Sequence, residues 1–176
     1  MEKLNKISKT LLYLFVVSGT IWLGSYVTRL SLFYNLFRSD ELVLKEYVNN
    51  QNISGIFTTL IAAVSINMIF YFIMIFAIIL FLTVAKLNLK LNGWLFISVI
   101  LILVCLPFEL YLMSIDYKFV MMVWKGSFNS QEALQLVLKR FTIISSFSVV
   151  EILSYLAVIY LFLFQPLTGI RRKLVE

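Results

Sequence analysis

Apolar residues run along the chain in four long blocks, and polar residues gather between them. A helix that crosses a bilayer needs about 20 consecutive, mostly apolar residues, and each block meets that test. The blocks predict spans at about 10–37, 54–85, 93–116 and 130–165. Asn129 is a suitable N-cap, with Glu132 at the N3 position of a capping box, so the fourth helix is expected to start near Ser130 and run unbroken to Gln165. At 1.5 Å per residue it would be about 54 Å long, against a hydrocarbon core of roughly 30 Å. Its first turns are expected to project outward, tilt, or lie along the interface. The pattern predicts one all-α domain over 1–176, a polytopic membrane protein. It would be an antiparallel four-transmembrane-helix bundle with a long outer extension of the fourth helix.

Composition supports a membrane protein and removes several chemistries. Of 176 residues 61% are hydrophobic and only 14% charged, where a soluble domain carries about 25% charged residues. Histidine is absent, which excludes His-ligated haem and zinc and His-based triads. A single cysteine, Cys105, excludes an internal disulfide. No nucleophile–base set, metal-ligand spacing, phosphate-binding glycine loop or cofactor motif stands out. The expectation is a protein that is not an enzyme and has no catalytic residue, metal site or cofactor.

Charge then sets the orientation. Lys3, Lys6 and Lys9, the short turn with Lys86 and Lys90, and Arg171, Arg172 and Lys173 lie on one side. Arg38, Lys45, Lys118, Lys125, Lys139 and Arg140 lie on the other, in longer loops diluted by Asp and Glu. The positive-inside bias therefore predicts both termini in the cytoplasm. No small-x-small cleavage site precedes a span-length apolar run, so the first block is expected to be a retained signal anchor. The net charge of +6 reads as membrane anchoring, with Arg171, Arg172 and Lys173 meeting lipid headgroups, and nucleic acid is not an expected partner. Trp94, Tyr34, Tyr117 and Trp124 fall near span ends, as an aromatic belt would place them. Mid-span Trp22 is expected to pack against a neighbouring helix or lipid tails. Residues 38–53 read as a short amphipathic helix, with Asp40 and Glu41 near its start.

Ionisable residues inside spans are costly and therefore informative. Glu151 heads a polar stripe with Ser145, Ser148 and Tyr155 on span four. Asn67 sits in the row Thr59, Ala63, Asn67 and Tyr71 on span two, suited to close packing and interhelical hydrogen bonds. Glu109 shares a face of span three with Cys105 and Asp116, and Arg29 lies in the outer part of span one. Depth matching brings Arg29 and Glu109 to similar levels, which predicts an ion pair between them, with snorkelling of Arg29 as the other outcome. Thr20, Gly24 and Thr28 repeat every four residues as a helix-packing seam. Pro107 is expected to kink span three beside Glu109, either as packing or to free a carbonyl that joins the carboxylate at a cation. Glu151 is either a proton-transfer group or a protonated structural one bonded to Asn67, Ser148 or another subunit.

Three functions follow from these residues. The leading expectation is a small non-catalytic protein acting through helix contacts, as an accessory or assembly subunit or by self-association. The alternative is an oligomeric proton or cation channel or carrier using Glu109 and Glu151, with Asn67 assisting. The third is a binder of lipid or another hydrophobic ligand between the helices. Membrane lipids are partners in every version.

Overall fold

The structure, a computed structural model, describes residues 5–38, 42–125, 128–143 and 147–167. They form five helices: α1 (Lys6–Tyr34), α2 (Ile53–Ala85), α3 (Gly93–Trp124), α4 (Ser130–Ile143) and α5 (Phe147–Phe164). All but α4 are long and apolar enough to cross a membrane, and the chain is a multi-pass, all-helical membrane bundle. The stretch expected to be one helix over 130–165 is described as two. Its first part, α4, is amphipathic, with Ala133, Val137 and Phe141 buried and Gln131, Gln135 and Lys139 exposed, whereas α5 is apolar throughout. Residues 144–146, including Ser145, lie outside the described residues.

Cross-helix contacts fix the direction of each element. Asn67 bonds to Trp22, and Gly19 faces Met74, so α1 and α2 run antiparallel. Phe108 meets Phe147 and Trp94 meets Phe162, so α3 and α5 run antiparallel too. Phe15–Phe162 and Trp22–Tyr155 contacts close α1 against α5, again antiparallel. Where α3 begins and α5 ends, the Gly93 N–H donates to the Leu167 carbonyl at 3.3 Å. A β-carbon on Gly93 would come within 3.0 Å of Leu167 Cβ, so this approach depends on glycine.

Local signals account for the helix starts. Asn5 caps α1 by accepting from the Ser8 N–H at 2.7 Å. Asn129 caps α4 by accepting from Gln131 and Glu132. The amphipathic helix expected over 38–53 is absent among the described residues of that stretch. Residues 42–52 instead make turns, anchored by an antiparallel bridge between Phe37 and Leu44 and by the Tyr47 hydroxyl on the Asn35 carbonyl. Residues 39–41, with Asp40 and Glu41, lie outside the described residues.

The core divides in two. One cluster gathers Trp22, Tyr26, Tyr71, Phe81, Tyr155 and Phe162. The other, where α1 and α3 end, gathers Phe33, Phe57, Phe119, Ala133, Val137 and Phe141. Trp22 thus packs inside the bundle and not against lipid tails. Trp94 is buried against Phe162 and is no belt residue, whereas Tyr34, Tyr117 and Trp124 are exposed as a belt requires.

Candidate functional site

Between the two apolar clusters lies a layer of charge. Arg29 comes from α1, Glu109 and Asp116 from α3, Arg140 from α4 and Glu151 from α5. Each is placed by its helix's inward face: Arg29 follows Trp22 by seven residues, and Asp116 follows Glu109 by seven, two turns in each case. Arg29 Nη1 donates to Asp116 Oδ2 at 2.7 Å. Arg140 Nη1 lies 2.8 Å from the same oxygen, and its Nη2 lies 3.5 Å from Glu109 Oε1. The Arg29 guanidinium also sits 5.2 Å from the Tyr26 ring centroid, a cation–π distance. Arg29, Glu109, Asp116 and Glu151 are buried, and the Arg140 side chain is only 10% exposed. Burial works against the Arg140 charge, but Asp116 and Glu109 outweigh it and raise the guanidinium above its ordinary range.

The expected Arg29–Glu109 pair is replaced by Arg29–Asp116. The physical reason is the length of α3, which continues to Trp124 and so puts Glu109 at its middle. Asp116, about 11 Å further along at 1.5 Å per residue, then matches the level of Arg29. Arg29 is buried in this pair and does not snorkel.

Glu109 and Glu151 face each other across α3 and α5, close enough to interact directly. Among the described residues none of their four carboxyl oxygens accepts a hydrogen bond. The Tyr26 hydroxyl beside Glu151 donates instead to Ser148 Oγ at 3.2 Å. Asn67 does not reach the carboxyls. Its amide donates to the Trp22 carbonyl at 3.2 Å and to Ser25 Oγ at 3.1 Å, which ties α2 to α1. A cavity of about 10 Å³, lined by Arg29, Asp116, Arg140, Phe33 and Phe141 among others, adjoins the network. That volume holds about one water molecule.

The remaining singled-out residues lie apart from the network. Thr20, Gly24 and Thr28 are exposed on α1, opposite the Trp22–Arg29 face, and so point away from the core of the bundle. The small residue at the α1–α2 contact is Gly19, whose β-carbon would meet Met74 Sδ at 3.2 Å. Ala63 is half-buried. Helix α3 passes through Pro107, whose ring is exposed on the face away from the core, so it is not a packing residue. Arg171, Arg172 and Lys173 lie outside the described residues. An open groove of about 820 Å³ runs along the end of α1, lined by Val27, Thr28, Ser31, Leu32, Arg38 and Lys45 among others.

Sequence reasoning missed Arg140 as a member of the site, having counted it as a loop cation. The signal was present: Ala133, Val137, Arg140 and Phe141 share one helix face, and that face is apolar apart from Arg140. Comparison with protein-family models, curated proteins and solved structures gives no match for this chain.

Proposed function

We propose that this chain is a non-catalytic integral membrane protein that works by helix contact with other membrane chains, as an accessory or assembly subunit. The observation that carries this reading is the outward seam Thr20, Gly24 and Thr28, which faces away from the bundle with open space over Gly24. Small residues at four-residue spacing let a second helix approach closely in lipid, where tails offer no hydrophobic gain. The hydroxyl of Thr20 is already bonded to the Val16 carbonyl at 2.9 Å. It continues through Thr28 into the groove at Ser31, Arg38 and Lys45. At most 33% of the apolar window of any span is buried inside the bundle, which leaves wide faces for lipid or partner helices. Arg29, Asp116 and Asn67, by contrast, are engaged inside the bundle, where they tie α1 to α3 and to α2.

In this reading both termini are cytoplasmic, by the distribution of Lys and Arg. The test is gentle extraction at native expression followed by native mass spectrometry, on the unaltered chain and on Gly24→Leu. A hetero-oligomer or homo-oligomer that Gly24→Leu dissolves is the expected result. A lone bundle in both samples refutes it.

A second reading, an oligomeric proton or cation carrier, is favoured by the orphaned oxygens of Glu109 and Glu151 in the middle of the bundle. It requires that Glu109→Gln or Glu151→Gln abolish flux in liposomes.

A further inference from the structure

We propose that the bundle holds one resident proton between Glu109 and Glu151, a proton-binding site whose occupancy is set by the two arginines of the charge layer. The inference is independent of which chains dock on the seam. The layer contains two guanidiniums, Arg29 and Arg140, and three carboxyls, Asp116, Glu109 and Glu151. Fully ionised, it carries one uncompensated negative charge among buried side chains. An unpaired buried charge is strongly disfavoured in a low-dielectric interior. One proton makes the layer neutral.

Geometry places that proton. Asp116 has two guanidiniums within 2.8 Å, and Glu109 has Arg140 at 3.5 Å. Glu151 has no ion-pair partner among the described residues; its neighbours are Glu109 and the Tyr26 hydroxyl, with Arg140 acting on it from beyond ion-pair distance. A protonated Glu151 donates its O–H to Glu109, which supplies the missing hydrogen bond to two otherwise orphaned groups at once. The other titratable groups near the pair are Tyr26 from α1, Tyr71 from α2, Cys105 from α3 and Tyr155 from α5. They are phenols and a thiol, which bring no positive charge to offset a second carboxylate.

Infrared spectroscopy reads the proton directly, because a protonated carboxyl has a C=O stretch that shifts in heavy water. Solvated carboxylates titrate near pH 4, so at pH 7 they do not contribute. The full chain in an ester-free maltoside detergent should show one acid carbonyl per chain. That band should disappear in Glu151→Gln, whose two remaining carboxyls, Asp116 and Glu109, are the ones paired with the two guanidiniums. In Arg140→Gln, three carboxyls face one guanidinium, and the band area should double. Absence of the band in the unaltered chain overturns the proposal, and that result needs no variant to fold. Survival of the band in Glu151→Gln, or an unchanged area in a folded Arg140→Gln, also overturns it.

Discussion

Arg29 and Asp116 join α1 to α3 at 2.7 Å, and Arg140 from α4 shares the same carboxylate oxygen at 2.8 Å. A single buried oxygen therefore links three helices. Asp116→Asn leaves both guanidiniums facing a neutral amide, and breaking a buried pair costs about 3–5 kcal/mol. Thermal unfolding in detergent should show a loss of that size. Arg29→Met in the Asp116→Leu background should recover most of it, because apolar packing replaces that pair while Arg140 keeps Glu109 as its partner. A loss under about 1 kcal/mol for Asp116→Asn would be that of a solvated pair and would contradict the burial described here.

Phe141 locks the end of α4. Its ring lies 4.6 Å from Tyr34, 6.1 Å from Phe33 and 6.2 Å from Phe37, centroid to centroid. Removing a buried phenylalanine side chain costs about 3–5 kcal/mol. Because α4 otherwise touches the bundle through Ala133, Val137 and Arg140, Phe141→Ala should loosen α4 before the spans. Hydrogen exchange should show faster exchange in α4 amides with α1 to α3 little changed. Uniform acceleration across all helices would mean that α4 is integral to the bundle's cooperative unit.

The spans and their antiparallel order were legible because hydrocarbon imposes a length and a hydropathy that four blocks satisfy. Glu109, Glu151, Asn67 and Arg29 were legible as inward residues for the same reason: charge facing lipid is too costly, and all four are buried. Their partners were not legible. Pairing depends on which helices adjoin and at what level, and the assumed end of α3 at Asp116 displaced its centre by about four residues. Arg140 was hidden because its helix is not a span, so neither hydropathy nor depth applied to it. The Thr20–Gly24–Thr28 spacing could not say which way that row faces; the inward turn of Trp22, Tyr26 and Arg29 turns it away from the bundle.

Orientation is open to a direct test, since the native cysteine is buried and contributes little labelling background. Lys45 lies in the loop after α1 and Asn88 in the turn after α2, so the antiparallel bundle puts them at opposite membrane faces. Lys45→Cys should react with an impermeant maleimide added outside intact cells, and Asn88→Cys only after permeabilisation. The reverse pattern would invert the topology and keep the fold. Labelling of both from one side would refute the bundle itself.

Gly19 and Gly24 separate internal packing from external docking on one helix. They are five residues apart on α1, yet a β-carbon at Gly19 meets Met74 Sδ at 3.2 Å while one at Gly24 meets nothing within 4 Å. Gly19→Leu forces a branched side chain into the α1–α2 contact, and overpacking of this kind costs about 1–3 kcal/mol. Gly24→Leu adds apolar surface to an apolar face, and its effect on bundle stability should stay within about 0.5 kcal/mol. Unfolding measurements should therefore rank Gly19→Leu well below Gly24→Leu. Association should rank them the other way, because only Gly24→Leu fills the seam where a partner helix would sit. If Gly24→Leu unfolds the bundle as readily as Gly19→Leu, the seam is internal and the contact surface lies elsewhere. If it alters neither stability nor association, the seam faces lipid alone, and the accessory-subunit reading loses the observation that supports it.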